Sequence, residues 1–276
     1  MSIQVQMGGL KVLLQQHGFN PAKAELWANF VTQVLLIYSA AADELQKPTR
    51  WENFKNKKGA QGAPKKKKKQ LVSVPVEDAI TSEIGFLADE LFCKLDADHF
   101  LRRHSTQLRF EALVQSPLRA GRHSKKIDFE VFSAFEDAPR LAIEAKPLTS
   151  LSDVGGRYLG DEGIGCFFSQ DSSYATGPMG AMLAYTINET NTSMQVQVVE
   201  GLKNYKPEPL STCDISNGSD GTVHCTYHDR ASSGFVPITI LHLERIFPLE
   251  ILGAVDEAHV STIAPLPAKK NIRKGK

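Results

Sequence analysis

Two short alternating runs separated by a turn constrain this chain more than any other feature of its 276 residues. In residues 126–135, Ile127, Phe129 and Val131 point one way and Asp128, Glu130 and Phe132 the other. In residues 140–147, Leu141, Ile143 and Ala145 share one face, and Ala142, Glu144 and Lys146 share the opposite one. Glu136-Asp137-Ala138-Pro139 supplies turn formers between them, which predicts an antiparallel hairpin. Side chains directly across a hairpin share a face, so its register decides what meets what. Centring on Asp137 sets Asp128 across from Lys146, and centring on Glu136 sets it across from Glu144. Either register gathers two carboxylates and an amine, whereas a slip of one residue sends Asp128 to the packed side.

Two adjacent carboxylates repel unless a divalent cation lies between them, and hard oxygen ligands suit magnesium or manganese. A lysine beside such an ion can position or deprotonate a water. This is the equipment of metal-assisted phosphodiester hydrolysis. The competing reading of the same residues is a half-solvated hairpin with ordinary surface charges, because an acid followed later by E-x-K is a loose pattern.

The flanking sequence supplies further groups. Asn20-Pro21 is an N-cap followed by proline at the first helical position, and Leu26, Phe30, Val34, Ile37 and Ala41 predict a packing helix running to about Leu45. Lysine, glycine and proline between Lys47 and Gln70, including five lysines at 65–69, predict a basic flexible linker or loop. The expected organisation is an N-terminal helical segment over 1–46, the linker over 47–70 and a main domain over 71–276. Ile80, Ile84, Leu87 and Leu91 predict a second helix from near Pro75 to about Leu95, and Glu83 at the edge of that stripe is a candidate third acid for the site. Residues 100–124 are basic and lead into the hairpin, and Arg119, Arg122, Lys125 and Lys126 are candidate phosphate contacts. Farther along, 164–168 reads as a strand, 174–185 as a loop entering a helix, 189–202 as a helix whose valines also permit a strand, 204–220 as loop, and 222–227 and 236–243 as strands.

Composition narrows the class. A formal net charge of +1 gives no global basic character, and four widely spaced cysteines without a C-x-x-C pair argue against a zinc knuckle or disulfide scaffold and for a reducing, cytoplasmic setting. No run reaches the roughly 18 apolar residues of a membrane span. The nucleotide-binding, serine-hydrolase and zincin motifs are missing from the sequence.

The order of parts, a helix with Glu83, a strand with Ile127-Asp128, then a strand with Glu144-Ala145-Lys146 followed by a helix and more strands, resembles the PD-(D/E)xK restriction-endonuclease-like superfamily over roughly residues 75–245. Isoleucine stands at 127 where the signature often has proline. The resemblance implies an α/β fold, a mixed sheet flanked by helices, with Asp128, Glu144 and the carbonyl of Ala145 as ligands of Mg2+ or Mn2+, Lys146 orienting water and Glu83 as an additional acid. It implies DNA as the substrate. The segments RYLGDEGIGCFF, YATGPMGAMLAY, HCTYHDR and ITILHL further resemble nuclease-like proteins of bacterial phage-defence gene clusters. The expectation is a metal-dependent DNA endonuclease of a prokaryotic defence or restriction system, acting as a homodimer or with partner proteins of a defence complex. The alternatives are a catalytically inactive nuclease-fold subunit that binds nucleic acid or a protein, and a recombination or repair nuclease for branched or single-stranded DNA.

Overall fold

The computed structural model describes residues 8–67, 70–114, 116, 118, 123–135, 137–216 and 222–254. Arg119, Arg122 and Glu136 lie outside the described residues.

Helices α1 (Gly8–Gln16), α2 (Pro21–Gln46) and α3 (Pro48–Lys55) come first. As predicted, the Asn20 side chain caps α2, accepting from the amide of Lys23 at 2.8 Å, with Pro21 opening the helix. The expected linker is not simply loop. Proline again starts a helix, α3, and Trp51 and Phe54 on its inner side are buried and stack near Phe247. Apolar residues spaced by three overrode a lysine-rich setting. Strands β1 (Lys65–Lys67) and β2 (Gln70–Ser73) then form a small antiparallel sheet with β10 (Glu250–Ala254).

Helix α4 (Glu77–Cys93) and the short α5 (Phe100–Arg103) precede the main sheet. Its strands are β3 (Thr106–Leu113), β4 (Lys126–Ser133), β5 (Arg140–Leu148), β6 (Met179–Thr186), β7 (Ser211–Ser216), β8 (Thr222–His228) and β9 (Ile238–Ile246). They lie in the order β3-β4-β5-β6-β9-β8-β7, with β5, β6 and β9 parallel and the pairs outside them antiparallel. The class is therefore mixed α/β, as expected.

The sheet is covered on both faces, which is what its parallel centre requires. Leu141, Ile143, Ala145, Ala181, Leu183 and Leu241 belong to one core with apolar residues of α1 to α4. Ala142, Met182, Ala184 and Ile240 belong to a second core with Val154, Tyr158, Ile164, Phe167 and Val198. That second layer is made by α6 (Leu151–Asp153), a π-helical turn at Val154–Tyr158, a 3-10 turn at Ile164–Phe167 and α7 (Gln195–Leu202).

Three expectations are corrected here. Residues 164–168 form a 3-10 turn rather than a strand, residues 179–186 form the strand β6 rather than a helix, and the expected loop over 204–220 contains β7. Strand β6 is buried at every position, so it carries no polar alternation to reveal it. Gly180 in it faces the ring of Phe167, whose nearest atom stands 2.5 Å from where a Cβ would be. A side chain there would collide with that ring and force it to move.

Candidate active site

The hairpin forms in the register that extends to Asp128 opposite Glu144, since Phe129 pairs with Ile143, Glu130 with Ala142 and Val131 with Leu141. The β4–β5 pairing ends at Phe129. Strand β4 loses its regular alternation there: Phe129 and Val131 sit in the core beneath the first helices, whereas Ile127 sits in the opposite one. On the neighbouring strand, Glu111 adopts a left-handed φ of 50° beside this point. The local turn of β4 brings the Asp128 carboxylate to the edge of β5, where Oδ2 accepts from the amide of Ala145 at 2.7 Å. An amide that would otherwise lack a strand partner is thereby satisfied by a side chain. In an antiparallel ladder the N–H and C=O of one residue face the same neighbour. The Ala145 carbonyl therefore lies on the Asp128 side, while its methyl is buried in the core.

Glu144 and Lys146 follow on the other face of β5. Lys146 Nζ stands 2.7 Å from Glu144 Oε1 and 2.8 Å from Glu77 Oε1. Glu77 is the first residue of α4, where the unpaired amides of a helix start favour a carboxylate. Asp128, Glu144, Lys146, Glu77, Tyr174 and Cys166 line one polar cavity of about 370 Å³. Asp78, Glu111, Glu162, Lys125 and Lys126 complete its charged rim, setting six carboxylates against three lysines.

The electrostatics follow from this crowding. Burial pushes the Glu144 carboxyl well above its ordinary value, and the charge of Asp128 adds to the effect. Burial likewise raises Asp128 to about 6, against the pull of the Ala145 amide. For Lys146, burial favours the neutral amine, but Glu144 and Glu77 outweigh it and hold the ammonium charged. Glu144 is 3% exposed, and its Oε2 has no hydrogen-bond partner. A buried, unpaired carboxylate oxygen is costly, and the six carboxylates against three lysines leave an acid excess around it.

The residue types fit magnesium or manganese. No cluster of three His, Cys, Asp or Glu side chains suited to an ion occurs among the described residues. Magnesium does not need one, because it is commonly held by one or two carboxylates together with waters and substrate phosphate oxygens. Asp128 and Glu144, with the carbonyl of Ala145, would hold it.

Of the residues expected at the site, Asp128, Glu144, Ala145 and Lys146 come together, and Lys125 and Lys126 stand at the rim. Lys126 is paired with Glu111 at 3.0 Å. Glu83 is not among the residues lining the cavity and pairs with Lys57. Glu77 takes the position expected of it. The signal available for Glu77 was its place directly after Pro75-Val76, at the helix start, rather than on the apolar stripe. Tyr174 and Cys166 also line the cavity, reaching it from the 3-10 turn and the loop before β6, where the sequence pattern predicts a strand and the approach to a helix. Among the described residues, no helix is long and apolar enough to cross a membrane. Comparisons with family models, with curated proteins and with solved structures found no match to this chain.

Proposed function

We propose that the chain is a metal-dependent nuclease that hydrolyses DNA phosphodiester bonds, built on a restriction-endonuclease-like core. The observation that carries the reading is the meeting of Asp128, Glu144 and Lys146 in one polar cavity where Glu144 Oε2 is buried and unpaired. A magnesium or manganese ion held by Asp128, Glu144 and the Ala145 carbonyl would supply charge neutralisation and a water of lowered pKa.

The chain's own groups account for the remaining tasks. Lys146, charged and fixed between two carboxylates, presents donors to a water or to a phosphate oxygen beside Glu144. Glu77 positions that ammonium from the helix start. Asp128 is held in orientation by the Ala145 amide, so it need not reorganise to accept a cation. Lys125 and Lys126 at the rim are placed to meet the flanking phosphates of a DNA strand. The setting in a defence or restriction system rests on the resemblance alone.

The test is plasmid cleavage with magnesium or manganese. Wild type is expected to nick or linearise the plasmid, and Lys146→Ala to lose about 100-fold or more of that rate, the scale of removing one preorganised charge-stabilising group. Equal activity of the two proteins, or activity undiminished by EDTA, overturns the reading.

One observation favours a second reading, an inactive subunit that binds nucleic acid or a partner. Lys146 is already paired with both Glu144 and Glu77, as in a closed structural ion network. Retention of DNA in a gel-shift without cleavage under either metal would decide for it.

A further inference from the structure

Two thiols outside the acid cavity stand in direct register. Cys213 lies on β7, the edge strand of the main sheet, and is paired with Cys225 on β8, between the pairs Thr212–Thr226 and Asp214–His224. Directly opposite residues of an antiparallel pair put their side chains on one face, with Cβ atoms about 4.5–5.5 Å apart. Disulfides join Cβ atoms about 3.5–4.5 Å apart, so bridging such a pair draws the two strands together by about 1 Å and leaves the bond strained. Cys225 is buried, and Cys213 is half-buried at the sheet edge.

The Cys225 thiol donates to the carbonyl of Val223 at 3.7 Å. The nearness of the two thiols lowers the Cys213 pKa and raises that of Cys225. The other two cysteines lack this arrangement. Cys166 is buried, donates to the carbonyl of Asp161 at 3.4 Å, and is pushed up to about 11 by burial. Cys93 is exposed at the last turn of α4.

We propose that Cys213 and Cys225 form a reversible dithiol–disulfide couple that reacts with small disulfides of the glutathione class, Cys213 attacking and Cys225 resolving. In the first step the Cys213 thiolate forms a bond to one sulfur of the small disulfide, and the other sulfur leaves as a thiolate. In the second, Cys225 gives its proton to solvent, and its sulfur attacks Cys213 and expels the remaining small thiolate. One small disulfide is reduced to two thiols while the two cysteines are oxidised to one cystine. Cystines of this kind, closed across neighbouring strands and open to exchange, are the labile rather than the structural sort.

The test treats the full chain with oxidised glutathione, alkylates the remaining thiols and maps the peptides by mass. The expected result is a linked pair of peptides containing Cys213 and Cys225, reversed by dithiothreitol, with Cys166 alkylated only after unfolding. Cys225→Ala is expected to stop at glutathione on Cys213, and Cys213→Ser to leave Cys225 unmodified. Wild type that keeps glutathione on Cys213 without closing the bridge overturns the proposal. So does wild type in which both cysteines stay alkylatable while the exposed Cys93 takes up glutathione.

Discussion

Two buried charges in this molecule are handled in opposite ways. Arg230 is 1% exposed and engages all three guanidinium nitrogens: Nε donates to Val236 O at 2.9 Å, Nη1 to Phe167 O at 3.1 Å, to Ser173 Oγ at 3.4 Å and to Ala175 O, and Nη2 to Gly177 O at 2.8 Å. It ties the 3-10 turn, the loop entering β6 and the approach to β9 into one unit. Its pKa, lowered by burial to about 10, leaves it charged at neutral pH. Glu144 is 3% exposed, shares one oxygen with Lys146 and leaves the other without a partner. The scaffold cation is engaged on every nitrogen, and the site carboxyl keeps one oxygen open. Buried polar groups are almost always paired, and of the six buried side-chain atoms without a partner among the described residues, Glu144 Oε2 is the carboxylate oxygen and belongs to a residue lining the acid cavity.

The comparison breaks first at Arg230. Arg230→Met strands several buried carbonyls at once, and a loss of about 3–5 kcal/mol is expected, lowering the thermal midpoint by about 10 °C or more. Thermal unfolding by circular dichroism checks this; a midpoint within a degree or two of wild type would mean that engagement of the charge contributes little.

Next in size is Glu77→Gln, which removes one of the two carboxylates holding Lys146. Cleavage is expected to fall about 10- to 100-fold, the scale of losing a group that orients a reactive one, with folding unchanged. Single-turnover cleavage separates this from a loss of DNA binding, and an unchanged rate would remove Glu77 from the site.

Asp128 sharpens the comparison through pH. Its folded pKa of about 6 lies above the ordinary carboxylate value, so its contribution to stability is fully present at low pH and is lost as pH rises through about 6. Above that, without metal, its charge costs up to about 3 kcal/mol. Asp128→Asn, which keeps an acceptor for the Ala145 amide, should therefore unfold at a higher temperature than wild type at pH 7.5 in EDTA, with the gap closing towards pH 4. His228 acts in the opposite direction: burial lowers it to about 4, so its contribution is present above the ordinary histidine value and is lost as pH falls. It is common to both proteins and cancels from the difference, which reports Asp128 together with the part of the Glu144 shift that the Asp128 charge supplies. A gap that is constant with pH contradicts the assignment. The smallest expected effect is that of Glu83→Gln, within about 0.5 kcal/mol in stability and without consequence for cleavage, because its partner is Lys57 rather than the cavity.

What could be read in the sequence follows the same division between exposed and buried. Helices α2 and α4 and the hairpin β4–β5 carry polar residues at regular spacing, so the elements are visible in the sequence, but the hairpin's register is not: two registers stay open, and the structure takes the one that extends to Asp128 opposite Glu144. Strand β6 is enclosed on both faces and rich in glycine and alanine, and its pattern is indistinguishable from that of a buried helix. The polar run Ser211–Ser216 is a strand because β8 pairs with it and α1 lies beside it, a tertiary circumstance its own residues do not announce. Glu83 lies at the edge of the helix stripe that periodicity reveals, but the charge that reaches Lys146 comes from Glu77 at the helix start. Periodicity reports which face is buried and is silent on which end points at a neighbour.

The claim that Glu144 is left open for a divalent cation is tested most directly by calorimetric titration of manganese into metal-free protein at pH 7.5. The account predicts saturable binding by wild type, lost in Glu144→Gln and retained in Glu83→Gln. Binding by Glu144→Gln equal to that of wild type, or no binding by wild type at millimolar manganese, would contradict it.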